Sequence, residues 1–409
     1  MRPGDRVFDV TYAEYDIVVS GGGVAGLTAA AVFGGAGFSV LCVDPAPPVM
    51  SREAEGSDLR TTAFLQPAQV LLERAGLWGR LASYATDLQV MRIVDAGGEI
   101  PAPRVVREFC ASDISDQPFG WNLPNWLLRR EMVAHLESLP GVTFLPGIGA
   151  VTLFTRETEA RVGLSNGTRV RCRLVIAADG RNSPVREAAG VEVKTTRYGQ
   201  KALAFAATHP IPHENVSTEI HRSGGPFTLV PLPDHDGRPS SAVVWMEEGP
   251  EAVRLADLPE AAFEAAMNTR SCHMFGPLTL ASRRTVWPII SQMAERMYAE
   301  RVALVAEAAH VVPPIGAQGL NMSLGDMRVL LELAEAAPER LGDRQMLETY
   351  HRRRHLEVRA RVTGIDLLNR ASMLRAQPLR DARAQALSAI YSLAPVRKTL
   401  MQMGLGARG

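Results

Sequence analysis

The segment Gly21-Gly22-Gly23-Val24-Ala25-Gly26 sets glycines at GxGxxG spacing directly after a short β-branched run, Tyr15 to Ser20. Gly21 permits a tight turn, Gly23 lets backbone approach a pyrophosphate, and Gly26 lets a helix pack close to a strand. The loop, with Val24 and Ala25 inside it, opens a helix whose free N–H groups and partial positive charge suit phosphate. Asp44 stands at the end of the next apolar run, where a carboxylate accepts hydrogen bonds from an adenosine ribose. The set reads as a dinucleotide site; the alternative is a glycine-rich turn that holds no ligand. Gly404 to Gly409 shows the same spacing, but the sequence supplies no helix after it, so it reads as a frayed tail.

Two distant segments carry further chemistry. LVIAADGRNSPVR, Leu174 to Arg186, runs from a buried strand into Asp179-Gly180, with Arg181, Ser183 and Arg186 after it. RVALVAEAAHVVPPIGAQGLNMSLGD, Arg301 to Asp326, places a strand, an acid, two prolines, a glycine-rich loop and a helix start in one run. The sequence contains no Ser-His-Asp set and no HxxxH or CxxC metal spacing, so no metal site is expected. His310 is expected to pack at a strand end or hydrogen-bond locally rather than to serve as a base.

In this order, the three motifs resemble those of the single-component FAD-dependent aromatic hydroxylases, the group typified by p-hydroxybenzoate hydroxylase. The resemblance runs from about Tyr15 over nearly the whole chain. It puts Glu307 where the family has the Asp of a Gly-Asp motif, a ligand of the flavin ribityl chain, and Ala306 where the family has Gly. Both are departures, and the extra methylene of Glu307 implies a contact through water. Pro314, Gly316, Gln318, Gly319, Leu320 and Asn321 match the loop along the isoalloxazine, whose N–H groups at a helix start would stabilise negative charge on reduced flavin. Asp179 and Gly180 match a motif implicated in both FAD and NAD(P)H binding. Arg60, in SDLRTTAF, matches an arginine near the pyrophosphate. Arg129 begins an Arg-x-x-Met-x-x-x-Leu pattern like one that meets the adenine end, and Val151 is assigned to the same cofactor site. The other readings are a surface arginine at Arg60 and a pairing of Arg129 with Glu131 or another acid.

DLRTTAFLQPAQVLLERAGLW, PPIGAQGLNMSLGD, RASMLRAQPLRDARAQAL and APVRKTLMQMGLG look like the branch of this family that hydroxylates ubiquinone precursors. That resemblance implies an FAD-dependent monooxygenase using NAD(P)H and O2. It would hydroxylate the ring of a polyprenylated phenol through a flavin C4a-hydroperoxide, alongside other ubiquinone-biosynthesis proteins. The same motifs also fit a hydroxylase of another aromatic substrate, a prenyl reductase, or a non-catalytic FAD-binding scaffold. With one well-placed fingerprint, NAD(P)H is expected to bind without a Rossmann domain of its own. A sheet from about Lys201 to Glu247 is expected to wall an apolar substrate pocket. GPFTLVPLP, with its β-like alternation, gives Phe227 and Leu229, and SAVVW gives Trp245; an ordinary core sheet is the other reading.

These residues need an α/β framework to hold them. The expected architecture is a Rossmann-like FAD-binding domain interleaved with a β-sheet substrate domain, plus C-terminal helices. Residues 13–75, 125–190 and 288–340 are assigned to the first, 76–124 and 191–287 to the second, and 341–409 to the helices. Helices are expected near Gly23 to Ala36, Gln66 to Ala75 with Pro67 in its first turn, and Arg130 to Leu139, with strands at Phe38 to Asp44 and Val302 to Ala306.

The chain of 409 residues carries 44 Lys+Arg against 44 Asp+Glu, a balance that argues against a nucleic-acid binder. Apolar residues make up 46% and charged residues 22%, which excludes a disordered chain. Cys42, Cys110, Cys172 and Cys272 form no CxxC pair and read as reduced thiols of a cytoplasmic protein. Ile17 to Val43 lacks charge, but its glycines and its strand–helix–strand pattern mark a buried βαβ unit rather than a membrane span. From His351 to Gly409, 12 Arg/Lys face three Asp/Glu. Val358, Val362, Ile365 and Leu368, then Val396, Leu400 and Met403 beside Arg397, Lys398 and Arg408, recur at helical spacing. The first stripe is expected to pack on the flavin domain. The second either packs or gives a loose, salt-sensitive contact with the inner face of the membrane.

Overall fold

The computed structural model describes residues 12–58 and 60–405. Arg408 and the end of the second glycine motif lie outside them. The strand Ala13–Ser20 pairs in parallel with Val40–Asp44 on one side and with Arg169–Ala177 on the other. Val142–Pro146 extends the sheet beyond Val40–Asp44, and Val302–Leu304 extends it beyond Arg169–Ala177, both in parallel. The central strands are apolar along their length because helices cover both faces; Ile17, Val18, Val40, Val175 and Ile176 have no more than 1% of their surface exposed. The first crossover helix, Val24–Gly35, is rich in alanine and buried along most of its length, against the helices Asn125–Leu136 and Gln318–Ala336. The uncharged run Ile17 to Val43 is therefore strand, helix and strand.

Three boundaries shift. Phe38 does not begin the second strand, because its ring packs edge-on against Phe33 at 6.1 Å and leaves Val40 to start pairing. The expected helix at Arg130 begins at Asn125, because Pro124, at φ −66°, sets the chain direction just before the first turn. The strand expected at Val302 to Ala306 ends at Leu304, and Ala306 already belongs to a short helix, Ala306–Ala309.

A second, nine-stranded sheet is antiparallel except for one parallel pair, Val90–Asp95 with Val216–His221. Its inner strands are Val193–Thr208, Arg238–Glu248 and Pro226–His235, with Thr285–Ala294 alongside. One face packs beneath the helices Gly249–Ala256 and Glu260–Arg270 and forms a core of its own, with Phe205, Phe263 and Met267. The opposite face turns to the body built on the parallel sheet. Ala202 and Met246 enter the main core, and Val244 and Trp287 pack against it.

The division drawn at 287/288 falls inside the Thr285–Ala294 strand, which runs unbroken through it. The segment from 341 is helical, and its first helix packs on the main core, as expected for the stripe at Val358 and Ile365. In the helix Arg344–Ser372, the residues Met346, Leu347, Tyr350, Val358 and Ile365 are part of the main core. Tyr350 also donates its hydroxyl to the Leu304 carbonyl at 2.7 Å. Among the described residues no helix is long and apolar enough to cross a membrane.

Candidate active site

Four candidate segments follow the C-terminal ends of adjacent parallel strands, the place where open α/β sheets bind ligands. Gly21 follows Ala13–Ser20, Asp44 ends its strand, Asp179 follows Arg169–Ala177, and Glu307 follows Val302–Leu304. Short bonds tie the turns together. Gly21 N–H donates to Val43 O at 2.8 Å, Gly22 N–H to Asp44 Oδ2 at 2.5 Å, and Ser20 Oγ to Asp179 Oδ2 at 3.3 Å.

The glycines divide by role. A Cβ on Gly21 would meet the Ala178 carbonyl oxygen at 2.3 Å, and one on Gly26 would meet the Gly21 oxygen at 1.8 Å. A Cβ on Gly23 would meet nothing within 4 Å. Gly21 and Gly26 therefore close the turn on itself, while Gly23 faces open space at the helix N-terminus, where an anion has access to free N–H groups.

Asp179 accepts from the Val185 N–H at 3.2 Å through Oδ2, while Oδ1 is buried without a partner. Burial holds its carboxyl above the usual range in spite of hydrogen bonds from Ser183, Val185 and Ser20. Gly180 follows at φ 87°, with open space where a side chain would be. Arg181, next in sequence, lies 3.4 Å from Glu307. Glu307 is 46% exposed and opens the short helix whose first residue, Ala306, holds a left-handed φ of 53°. Glycine is the residue that takes this conformation without strain.

Arg60 makes a two-pronged bond to Asp58, 2.8 Å from Nε and 2.7 Å from Nη2, and its guanidinium stands 5.5 Å from the Trp287 ring centroid. Asn125 donates to the same carboxylate at 3.0 Å, and Arg129 approaches it at 3.8 Å. Burial disfavours ionised Asp58, but Arg60, Asn125 and Arg129 together outweigh it and hold the carboxyl below its usual range. Glu131 does not take Arg129, because Arg130 occupies it at 2.9 Å and Arg80 at 3.5 Å. Arg129 Nε is left buried with no partner.

The loop Pro314 to Ala317 enters the helix Gln318–Ala336 through Ala317 at φ 56°. Asn321 clamps this entry to the strand Thr61–Leu65. Its Oδ1 accepts from the Leu65 N–H at 2.8 Å and its Nδ2 donates to Ala63 O at 2.7 Å. Pro314, Ala317 and Gly319 stay exposed. His310 is not part of this surface. It is buried, 2.7 Å from Asp326, which also binds Arg354 at 2.8 Å.

Residues 14–364 match the family described as FAD binding domain. The chain belongs to the FAD-binding monooxygenase family. It is 31% identical over 395 residues to the ubiquinone hydroxylase UbiL of Rhodospirillum rubrum, spanning 96% of this chain and 89% of that one. It is 25% identical to the 3-demethoxyubiquinol 3-hydroxylase of Escherichia coli, over 96% of this chain and 98% of that one. Its fold superposes on p-nitrophenol 4-monooxygenase PnpA of Pseudomonas putida with a TM-score of 0.78 at 20% identity, covering 98% of this chain and all of that one.

The residues of this monooxygenase fit FAD. Gly23 leaves room at a helix N-terminus, Asp179 and Arg129 hold unpartnered polar atoms, and Glu307 and the Pro314–Asn321 loop stay accessible. Two assignments need correction. Val151 turns its side chain outward, 61% exposed on the edge strand Ala150–Thr155, and it is Ile148 that bridges to Asp44. Phe227, Leu229 and Trp245 are 0%, 1% and 3% exposed and belong to the core beneath the Glu260–Arg270 helix, not to a pocket wall. With a side-chain period of two, their neighbours Thr228, Val230 and Val244 are the half-buried residues on the face turned to the flavin-binding body. Asp58, Asn125, Arg181 and Trp287 contact these candidate residues without having been assigned to the site from the sequence. Asp58 and Arg181 lie within two residues of motif positions, whereas Asn125 and Trp287 gave no local signal.

Proposed function

We propose that this monooxygenase hydroxylates the ring of a polyprenylated phenol in ubiquinone biosynthesis, using NAD(P)H and O2. The observation that carries the reading is the similarity to UbiL over nearly the full length of both chains. The redox chemistry, electrons taken from NAD(P)H and O2 activated, is what FAD supplies when bound. The chain supplies position. Gly23 and the helix start receive the pyrophosphate, Asp44 the adenosine ribose, and Glu307, steadied by Arg181, the ribityl chain. The Pro314–Asn321 loop, clamped by Asn321, offers N–H groups to the flavin ring.

The substrate lies on the sheet face of Thr228, Val230, Val244 and Trp287. Trp287, stacked under Arg60, closes one end against water. An apolar channel gains about 0.8 kcal/mol per buried CH2, so a prenyl chain contributes much of the affinity. An electron-rich phenol needs only a positioned polar group or water to accept its proton.

Substrate of this kind resides in a membrane, and the helices Gln377–Ser392 and Ala394–Leu405 present an apolar surface to meet it. Leu379, Ile390, Leu393, Val396, Leu400 and Met403 are each between 38% and 55% exposed. The arginines beside them turn inward. Arg383 binds Asp95 at 2.8 Å, and Arg397 lies 3.5 Å from Asp113 and over the Tyr391 ring. Only Lys398 of the named cations is left exposed among the described residues. Contact at this surface is therefore apolar more than electrostatic. Other enzymes of the pathway are the partners that would strengthen it.

The test is product analysis in strains blocked at each ring hydroxylation of ubiquinone biosynthesis. Expression of this chain is expected to restore one hydroxylated prenylphenol. Restoration of none, with bound FAD present, would direct the enzyme to another aromatic substrate. Flotation on liposomes at low and high salt, comparing the full chain with one ending at Leu393, tests the membrane contact. The full chain is expected to float more at both salt concentrations.

A further inference from the structure

The carbonyls at the end of a helix lack partners within it and seek donors elsewhere. In the helix Ala394–Leu405 those donors come from the flavin loop and the helix behind it. Gln318 Nε2 donates to Gly404 O at 2.9 Å and to Gly316 O at 2.9 Å. Arg361 Nη1 donates to Gln318 Oε1 at 2.9 Å and reaches Met403 O at 3.4 Å. Gln318 is the first residue of the loop helix, so one side chain holds the loop carbonyl at Gly316, the Arg361 guanidinium and the end of the Ala394–Leu405 helix together.

Arg361 is itself fixed from behind. Its Nε donates to Glu357 at 3.1 Å, Arg354 binds the same carboxylate at 2.5 Å, and Arg354 binds buried Asp326 at 2.8 Å. Asp326 lies on the loop helix, eight residues past Gln318, so the chain of bonds leaves that helix and returns to it. Met401 and Leu405 anchor the Ala394–Leu405 helix, with 8% and 5% of their surface exposed. Leu405 also lines a cavity of about 60 Å³ shared with Gln318, Asn321, Arg354 and Arg361. The turn is also held by Asn321, whose Nδ2 donates to Ala317 O at 2.6 Å, while Pro314, Ala317 and Gly319 are exposed.

We propose that the Ala394–Leu405 helix is a strap on the flavin loop and that Arg361 is a positioning residue acting through Gln318. The inference rests on the assignment of Pro314–Asn321 as the flavin loop. It goes beyond that assignment by giving a cofactor-site role to a helix whose outer face, Val396, Leu400 and Met403, is the surface offered to lipid. A loop with two bonds fewer samples more conformations and binds FAD less tightly, because ordering it costs free energy on binding.

The experiment compares the full chain with Arg361→Ala, Arg361→Lys, a chain ending at Leu393, and the shortened chain carrying Arg361→Ala. FAD affinity is measured by fluorescence titration. Amide exchange in residues 312–322 is measured on the FAD-free protein. Arg361→Ala and the shortened chain are each expected to raise the FAD Kd about tenfold, the scale of one charge-assisted hydrogen bond. Both should speed exchange in 312–322 while leaving the strands Ala13–Ser20 and Arg169–Ala177 protected. Arg361→Lys should recover part of the affinity, and the combined change should weaken binding no further than either alone. An unaltered Kd and unaltered loop exchange in the shortened chain would overturn the strap. Additive losses, or faster exchange throughout the molecule, would also overturn it by showing general destabilisation. Failure of the full chain to bind FAD would instead overturn the loop assignment beneath it, and the strap with it.

Discussion

Glu307 Oε2 lies 3.4 Å from Arg181 Nε, so the acid after the strand Val302–Leu304 is steadied by the cation after Asp179-Gly180. An exposed pair of this kind adds little stability. In the proposed function it aims a carboxylate across the mouth of the nucleotide site. The preceding Ala306 carries a left-handed φ of 53°, where a Cβ is strained.

Glu307→Ala is expected to fold normally and to raise the FAD Kd by about ten- to a hundredfold, the loss of a charge-assisted bond of about 1.5–3 kcal/mol. Glu307→Asp should bind as well as the parent. Ala306→Gly relieves about 1–2 kcal/mol of left-handed strain and returns about 0.4–1 kcal/mol as unfolded-chain entropy. A small rise in melting temperature is the expected result. Equilibrium titration with FAD and thermal denaturation check all three variants.

Gly23 and Gly26 separate binding from folding. At φ −72° with open space beside it, Gly23 accepts an alanine in the protein without ligand. Gly23→Ala is therefore expected to melt within about 0.5 kcal/mol of the parent, as an unobstructed substitution does, and yet to lose FAD. Gly26→Ala pushes a methyl into the Gly21 oxygen and should lose folded protein first. Circular dichroism melting beside flavin absorbance distinguishes the two.

Burial raises the Glu247 carboxyl to about 7, with Arg270 and Arg375 opposing the rise and Glu251 adding to it. The folded state then holds a proton that the unfolded chain releases from about pH 4.3 upward. Stability contributed by that proton is full below about pH 4.3 and is lost as pH climbs to 7, by about 4 kcal/mol in all. Glu247→Gln should flatten this fall and leave the variant more stable than the parent near about pH 8, with no advantage near about pH 4. Urea unfolding across that range is the check.

The two faces of the antiparallel sheet give opposite outcomes. Leu229→Ala or Phe227→Ala opens a cavity in the core and should cost about 2–5 kcal/mol of stability. Val244→Trp fills the face turned to the flavin-binding body. It should raise the KM of long-chain phenols far more than that of short ones. Steady-state kinetics on both chain lengths, together with melting curves, separate core from channel.

What the sequence disclosed was what local chemistry encodes. The Gly21–Gly26 turn, Asp44, Asp179-Gly180 and the Glu307–Asn321 run each mark a candidate position within a few residues, and the parallel sheet brings them together at the C-terminal ends of adjacent strands. Faces of the second sheet were not legible. It is buried on both sides, so alternating apolar residues mark two faces without saying which one looks at the flavin. Leu229 and Val244 look equally suitable in the sequence. The Asp58–Arg60–Asn125–Arg129 cluster joins segments far apart along the chain, and its pairing is visible only once the strands Thr61–Leu65 and Gly120–Pro124 lie side by side. The partners of two C-terminal arginines were hidden in the sequence for a related reason. Arg383 and Arg397 look free in sequence, but the fold gives each an acid.

The most direct measurement supplies purified protein with FAD, NAD(P)H, a prenylated phenol and isotopically labelled O2, and follows the product by mass spectrometry. Hydroxylation predicts NAD(P)H oxidation stimulated by the phenol and one labelled oxygen atom in each product ring. NAD(P)H consumption that ignores the phenol, with the ring unlabelled, would contradict it.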